Sequence, residues 1–263
     1  ELESLVAVAS VGDDLSLPPG APLDRDVAGP SARAAGDLAD NLVLKAAHAL
    51  QERVEGLRVG RFGLTKRLPV AAALGGGSAD AAAALRLLAR LNGLADDDKR
   101  LLDAAAACGS DIPVCVGSTA RVMRGRGEVL SPAVGIPPIA GVLVNPRVAV
   151  PTRDVFAAIG LTPGDEGPSR KADVPSAFAD STGLFAYLDT HGNDLEAPAI
   201  AREPVIAETL ALLRRLGGVR VVRMSGSGAT CFALEDDLAA ADRAAAAGRA
   251  MRPDWWIASG AFR

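Results

Sequence analysis

Three consecutive glycines, Gly75-Gly76-Gly77, stand directly before a run that reads as helix. Ala81–Leu91 is rich in alanine and places Leu85, Leu88 and Leu91 on one face. No other feature constrains the fold as much. Glycine reaches backbone angles closed to other residues and leaves the loop's N–H groups bare. The helix is expected to open with Ser78 at or near its N-cap and Asp80 in the first turn, where negative charge suits the macrodipole. A glycine loop feeding a helix N-terminus is an anion cradle, and phosphate is its commonest guest. A plain glycine turn, capped by serine before a core helix, accounts for the same residues.

The familiar phosphate loops do not fit. GxxxxGK[ST] fails because Ala79 follows Ser78 and no lysine stands at the helix start, and no GxGxxG follows a strand. The net charge of −4 gives no general attraction to nucleic acid or to an anionic membrane, so a phosphate-bearing ligand must be held by local groups. No apolar run approaches the roughly 20 residues of a membrane span. Nothing at the N-terminus has the layout of a signal peptide, and a cytoplasmic setting is expected. Cys108, Cys115 and Cys231 are scattered and odd in number, which fits buried thiols in a reducing compartment. His48 and His191 have no cysteines at ligand spacing, which argues against structural zinc. No GxSxG elbow presents a serine nucleophile.

Along the chain, Leu2–Ser10 alternates as a strand, and Gly12-Asp13-Asp14 turns it into a second strand at Leu15–Leu17. Pro18 to about Gly36 reads as a loop, Asp37–Val54 as an amphipathic helix and Leu57–Leu64 as a strand. A helix opens at Asp96–Asp98 and runs through Cys108, followed by Gly109-Ser110-Asp111-Ile112-Pro113 and a short apolar strand. Asp111 would then sit just past a helix C-terminus, where a carboxylate opposes the macrodipole. Such a rule-breaking position is a functional candidate, although turn aspartates are common. Ala120–Met123 and Glu128–Leu130 read as a hairpin, and Pro-rich Ser131–Pro138 marks a boundary between domains at 1–134 and 135–263. Ala140–Val144 reads as a buried strand, Pro151–Ile159 as a helix and Thr162–Asp173 as a loop. Helix Pro204–Leu216, strands Val219–Met224 and Thr230–Leu234, helix Leu238–Arg249 and strand Trp255–Ser259 complete the chain. This alternation indicates an α+β fold.

Three separated segments share one pattern. Pro69-x-x-x-x-Leu74-Gly75-Gly76-Gly77-Ser78-x-Asp80-Ala81-Ala82 resembles the phosphate loop of the GHMP small-molecule kinases (galactokinase, homoserine kinase, mevalonate kinase). It carries Ala71–Ala73 where glycines are more usual. Gly109-Ser110-Asp111-Ile112-Pro113-Val114 is similar to the segment that holds the family's catalytic aspartate. Ser225-Gly226-Ser227-Gly228-Ala229-Thr230 is similar to its C-terminal glycine loop. Asp40-Asn41-Leu42, Lys66-Arg67-Leu68-Pro69, Asn193-Asp194-Leu195-Glu196 and Pro146–Phe156 resemble one branch, whose substrate is a cytidine diphosphate-linked methylerythritol.

The resemblance runs over nearly the whole chain. It implies an N-terminal α/β domain of ribosomal-S5-like type, a C-terminal ferredoxin-like domain and a site in the cleft. The implied reaction is phosphoryl transfer from ATP, with Mg²⁺, to a hydroxyl of a small molecule, Asp111 acting as general base. It further implies that Asn41, Leu42 and Lys66 line the adenine pocket. Leu74, Gly75, Gly76, Gly77, Ser78 and Ala79 would hold the phosphates, with Ser78 also near the metal. Thr152 and Phe156 would take the cytidine side, and Ser225, Gly226, Ser227 and Gly228 would close on the substrate. Family members open with a strand carrying P-A-K-x-N and a G-x-R-x-D-G-Y-H segment. Glu1-Leu2-Glu3-Ser4-Leu5 resembles the continuation of that segment. The expectation is therefore that the first strand and its lysine precede these 263 residues, and that without them turnover is weak or absent. Another kinase of the family, such as a homoserine kinase, and a nucleotide-binding module without catalysis are the alternative readings.

Overall fold

The computed structural model describes residues 2–20, 22–35, 41–70, 72–160 and 173–263. Contacts divide the chain into two units, Glu1–Val8, Gly12–Val70 and Gly75–Ala133 in the first, and Ala9–Val11, Ala71–Leu74 and Val134–Arg263 in the second.

The first unit contains, in order, β1 (Leu2–Val6), β2 (Asp14–Ser16), β3 (Asp24–Ala28), a 3₁₀ turn (Ala32–Ala35), α1 (Leu42–Gln51), β4 (Arg61–Thr65), α2 (Gly76–Asn92), α3 (Lys99–Cys108), α4 (Ile112–Gly117), β5 (Arg121–Gly125) and β6 (Val129–Ala133). Its strands form two sheets, β1-β5-β6, which is antiparallel, and β2-β4-β3, in which β3 runs parallel to β4. Val43, Ala46, Ala47 and Leu50 of α1 pack with Phe62 and Leu64 of β4, Ala81, Leu85 and Leu88 of α2, and Leu101 of α3. Small alanines at these positions let the helices approach closely, so a chain that is only 3% aromatic still builds a buried core.

Four sequence expectations change here. Gly12–Asp14 does not close a hairpin, because β1 pairs with β5 and β2 with β4. The stretch read as the loop Pro18–Gly36 contains β3, whose Asp24 and Asp26 pair with Arg61 of β4. A strand whose first three residues are charged shows no apolar alternation to read. Ile112–Gly117 is a helix rather than a strand, since Pro113 in its first turn removes an N–H that would have no partner anyway. β6 absorbs Ser131–Ala133 of the Pro-rich stretch; Pro132 is tolerated there because β6 is an edge strand with an irregular register against β5. Residues 37–40 of the predicted first helix lie outside the described residues, and so do 162–172 of the predicted loop.

The second unit contains β7 (Ile139–Asn145), α5 (Thr152–Ala158), α6 (Ser181–Asp189), α7 (Glu196–Arg202), α8 (Val205–Arg215), β8 (Val221–Met224), β9 (Cys231–Glu235), α9 (Leu238–Met251) and β10 (Trp256–Phe262). The sheet order is β10-β7-β9-β8, with every pair antiparallel. Strands occurring as β-α-β-β-α-β and arranged fourth, first, third, second make the ferredoxin-like pattern. β7 is buried along its whole length. Ile206, Leu210 and Leu213 of α8 and Ala241 and Ala245 of α9 pack with Val142 and Val144. Leu184 and Phe185 of α6 pack with Ile139, Val221 and Leu234. The sequence reading did not contain α6 or α7, which are short and follow loop-like residues. Among the described residues no helix is long and apolar enough to cross a membrane.

Candidate active site

In the first unit the candidate site is built around the start of α2. Gly75 is the N-cap in the left-handed region (φ 63°), and the helix begins at Gly76. Ser78 is therefore the third residue of the helix rather than its cap, and Asp80 lies beyond the first turn. Glycine alone takes the cap's conformation without strain, which moves the helix start upstream of the first side chain able to cap it. Among the described residues nothing accepts the N–H groups of Gly76, Gly77 and Ser78, whereas Ala79 N–H bonds to Gly75 O at 2.8 Å. A Cβ at Gly75 would meet open space. A Cβ at Gly76 would lie 3.2 Å from Leu68 Cδ1, and one at Gly77 would lie 3.3 Å from Leu42 Cδ1. The three donors free among the described residues, with open space at Gly75, fit an anion, and a phosphate chain matches that donor set.

Asn41 caps α1, its Oδ1 accepting Val43 N–H at 2.9 Å, and so fixes Leu42 beside Gly77. Asp40 lies outside the described residues. Lys66 is buried, and its ammonium donates to Asp13 and, at 2.8 Å, to Asp80 Oδ2 of α2. Asp13 also accepts the backbone N–H groups of Arg67 and Leu68. Burial works against the charge on Lys66, but the bonds to Asp13 and Asp80 outweigh it and raise its pKa. Burial, with the Asp13 carboxylate beside it, pushes Asp80 up to about 6 against the pull of Lys66. One ammonium between two carboxylates leaves an excess negative charge, which makes Asp80 harder to ionise than a free carboxyl. The sequence reading took Asp13 for a turn residue; the signal it lacked was a lysine 53 positions away.

Asp111 is exposed and stands at the N-cap of α4. The expected conflict with a helix C-terminus is thereby corrected, because the carboxylate precedes a helix whose N-terminal end favours negative charge. Ser110 Oγ is 3.1 Å from Asp111 Oδ1, and a Cβ at Gly127 would fall 3.1 Å from the same oxygen. Gly127 thus clears room beside the carboxylate.

In the second unit, Thr152 at the start of α5 and Ser227 in the β8–β9 turn meet, their hydroxyls 2.8 Å apart. Phe156, on the next turn of α5, is 42% exposed. Leu74 is half-buried, and the neighbouring Ala72 and Ala73 are held by their carbonyls, which accept from Thr230 Oγ1 and from Ser225 Oγ at 3.0 Å. Asn145 donates to Thr230 Oγ1 at 2.8 Å. Gly226 and Gly228 both take positive φ, 50° and 87°. Sequence reading included Thr230 in the glycine-loop motif but gave it no role, and it missed Asn145, since nothing local marks a buried side chain that bonds across the fold.

Burial pushes the thiol of Cys115 to about 11 and that of Cys231 to about 12, which removes both as nucleophiles. No cluster of three or more histidine, cysteine or acidic side chains suited to a metal occurs among the described residues. A hard cation bound here would take most of its ligands from phosphate oxygens and water, as Mg²⁺ commonly does.

Comparison with known proteins matches residues 41–118 to the GHMP kinases N terminal domain and residues 176–254 to GHMP kinases C terminal. A 4-diphosphocytidyl-2-C-methyl-D-erythritol kinase of Xanthobacter autotrophicus is 55% identical over 260 residues, covering 98% of this chain and 89% of that protein. A crystal structure of 4-(cytidine 5'-diphospho)-2C-methyl-D-erythritol kinase superposes with a TM-score of 0.79 at 32% identity, covering 99% of this chain and 89% of the other. A homoserine kinase structure from Cytophaga hutchinsonii superposes with a TM-score of 0.67 at 18% identity over 94% of this chain and 84% of its own; it shares the fold.

Proposed function

The chain belongs to the GHMP kinase family, and from that premise we propose that it phosphorylates the 2-hydroxyl of 4-diphosphocytidyl-2-C-methyl-D-erythritol with ATP, in isoprenoid precursor biosynthesis. The observation that carries the reading is the start of α2, where three N–H groups without a partner among the described residues and open space at Gly75 suit a triphosphate. Near-full-length identity to relatives of that name selects the substrate.

In this reading Gly75, Gly76, Gly77, Ser78 and Ala79, with Leu74 before them, surround the phosphates. The amides of Gly76, Gly77 and Ser78 donate to phosphate oxygens, and the helix behind them adds its positive end. Ser78 Oγ, which has no hydrogen bond among the described residues, takes a place near Mg²⁺. The metal, when bound, neutralises charge that develops on the transferred phosphoryl group. Asn41, Leu42 and Lys66 serve the adenine side, Lys66 through its stem, because its ammonium is engaged by Asp13 and Asp80 and its backbone by Ala28 and Ser31. Asp111 takes the proton of the attacking hydroxyl, a role that needs an accessible carboxylate. Phe156 stacks on the cytosine ring with its exposed face. Thr152 and the Ser225–Gly228 turn contact the remainder of the substrate.

The test is ADP release from Mg-ATP with this substrate and, separately, with homoserine. ADP formed only with the cytidine compound supports the proposal. ADP formed only with homoserine, or nucleotide binding without turnover on either, replaces it with one of the two alternative readings.

A further inference from the structure

Asn193 and Glu196 are polar residues just ahead of and at the start of α7, and the reaction as described gives them no part. Asn193 Nδ2 donates to two carbonyls, Met224 O at 3.0 Å and Gly226 O at 2.8 Å. Its amide orientation is fixed from the other side, because Asn193 Oδ1 accepts Leu195 N–H at 2.9 Å. Glu196 Oε2 accepts Met224 N–H at 3.2 Å. Met224 ends β8, the edge strand of the sheet, so these bonds satisfy backbone groups that have no neighbouring strand.

The same turn is where the candidate residues gather. Ser225 N–H bonds to Thr230 O and Gly228 N–H to Ser225 O, both at 2.9 Å. From this turn Ser225 Oγ reaches Ala73 O and Thr230 Oγ1 reaches Ala72 O, at the stem of the glycine loop. We infer that Asn193 and Glu196 are positioning residues that lock the Met224–Gly228 turn in the form that holds the Ala72–Ala73 stem and sets Ser227 against Thr152. Two donors on one amide nitrogen, a carboxylate on the preceding N–H and a glycine in the left-handed region at Gly226 define one turn conformation. The consequence for phosphoryl transfer rests on the proposed function; the geometry of the clamp does not.

The experiment compares Asn193→Ala, Asn193→Asp, Glu196→Ala and Glu196→Gln with the unsubstituted chain. Amide exchange at Ser225 and Gly228 is the readout independent of activity. Asn193→Asp turns a donor into an acceptor facing two carbonyls at nearly constant size, and Glu196→Gln keeps an acceptor oxygen. The clamp predicts exchange at least tenfold faster at both amides in Asn193→Ala, Asn193→Asp and Glu196→Ala. It predicts a kcat lowered tenfold or more with KM for ATP changed less than threefold, and rescue of exchange and kcat by Glu196→Gln. Unchanged exchange at Ser225 and Gly228 in Asn193→Ala overturns the inference, whatever the activity. So does a Glu196→Gln variant as impaired as Glu196→Ala. A chain with no kinase activity on any substrate defeats the proposed function instead, and the exchange measurement still decides the clamp.

Discussion

Lys66 Nζ lies 2.8 Å from Asp80 Oδ2, and this pair, closed on its other side by Asp13, ties the Lys66–Leu68 segment to the first turns of α2. All three side chains are nearly inaccessible. Replacing Lys66 by methionine leaves two buried carboxylates facing each other. Removing one partner of a buried ionic group costs about 3–5 kcal/mol. Denaturant unfolding of Lys66→Met is expected to show a loss of that size; a loss below about 1 kcal/mol would mean the network is solvated.

The same network sets a pH dependence. Asp80 titrates near 6 in the folded chain, above its ordinary 3.8. Between those values the folded state holds a proton that the unfolded state has released, so stability falls as pH rises through that window and is flat above it. The decrease attributable to Asp80 is up to about 3 kcal/mol. Unfolding of the unsubstituted chain and of Asp80→Asn between pH 4 and 7 checks this. The substituted chain should gain relative to the original as pH rises, and parallel curves would remove Asp80 as the titrating group.

Gly29 has φ +100°, and a Cβ there would fall 2.4 Å from Lys66 O. The neighbouring atom is backbone and cannot swing away. Gly29→Ala is expected to lower stability by about 2 kcal/mol or more through strain and displacement of Lys66. A melting temperature unchanged by this substitution would show that the 3₁₀ turn and Lys66 are not held together.

Phe156 and Gly77 separate binding from stability. Phe156 is 42% exposed, so Phe156→Ala should leave stability within about 0.5 kcal/mol while raising KM for the cytidine substrate tenfold or more. Gly77→Ala adds a methyl 3.3 Å from Leu42 Cδ1, beside the residues proposed to hold the adenine and phosphates, at a helical position alanine accepts. Its expected signature is an unimpaired melting temperature with KM for ATP raised. Equal losses of stability and affinity in either variant would place that residue in the core instead.

How far these features were legible in the sequence follows the range of the forces involved. α2 was readable because three glycines and an alanine-leucine face are local signals. The strands of the second unit were readable because β7, β8 and β9 are apolar runs. β3 was missed because Asp24-Arg25-Asp26 is a charged run without apolar alternation, although its backbone pairs with β4 along five residues. Asp111 was picked out by an electrostatic argument that fails, since α4 begins where a strand was expected; its assignment rests on the motif. Lys66 was singled out by resemblance, yet the partners that decide its behaviour, Asp13 and Asp80, stand 53 and 14 residues away.

The most direct measurement of the central claim is the rate of ADP and phosphorylated product formation from Mg-ATP and 4-diphosphocytidyl-2-C-methyl-D-erythritol, for the full-length protein and for its Asp111→Asn variant. Phosphorus NMR would follow the new phosphate ester. The account predicts substrate-dependent product whose kcat falls about 10²–10⁴-fold in the variant, with nucleotide affinity and melting temperature unchanged because Asp111 is exposed. Turnover in Asp111→Asn at the unsubstituted rate would contradict Asp111 as the base. The absence of any phosphate ester from the full-length protein with ATP bound would contradict the kinase reaction itself.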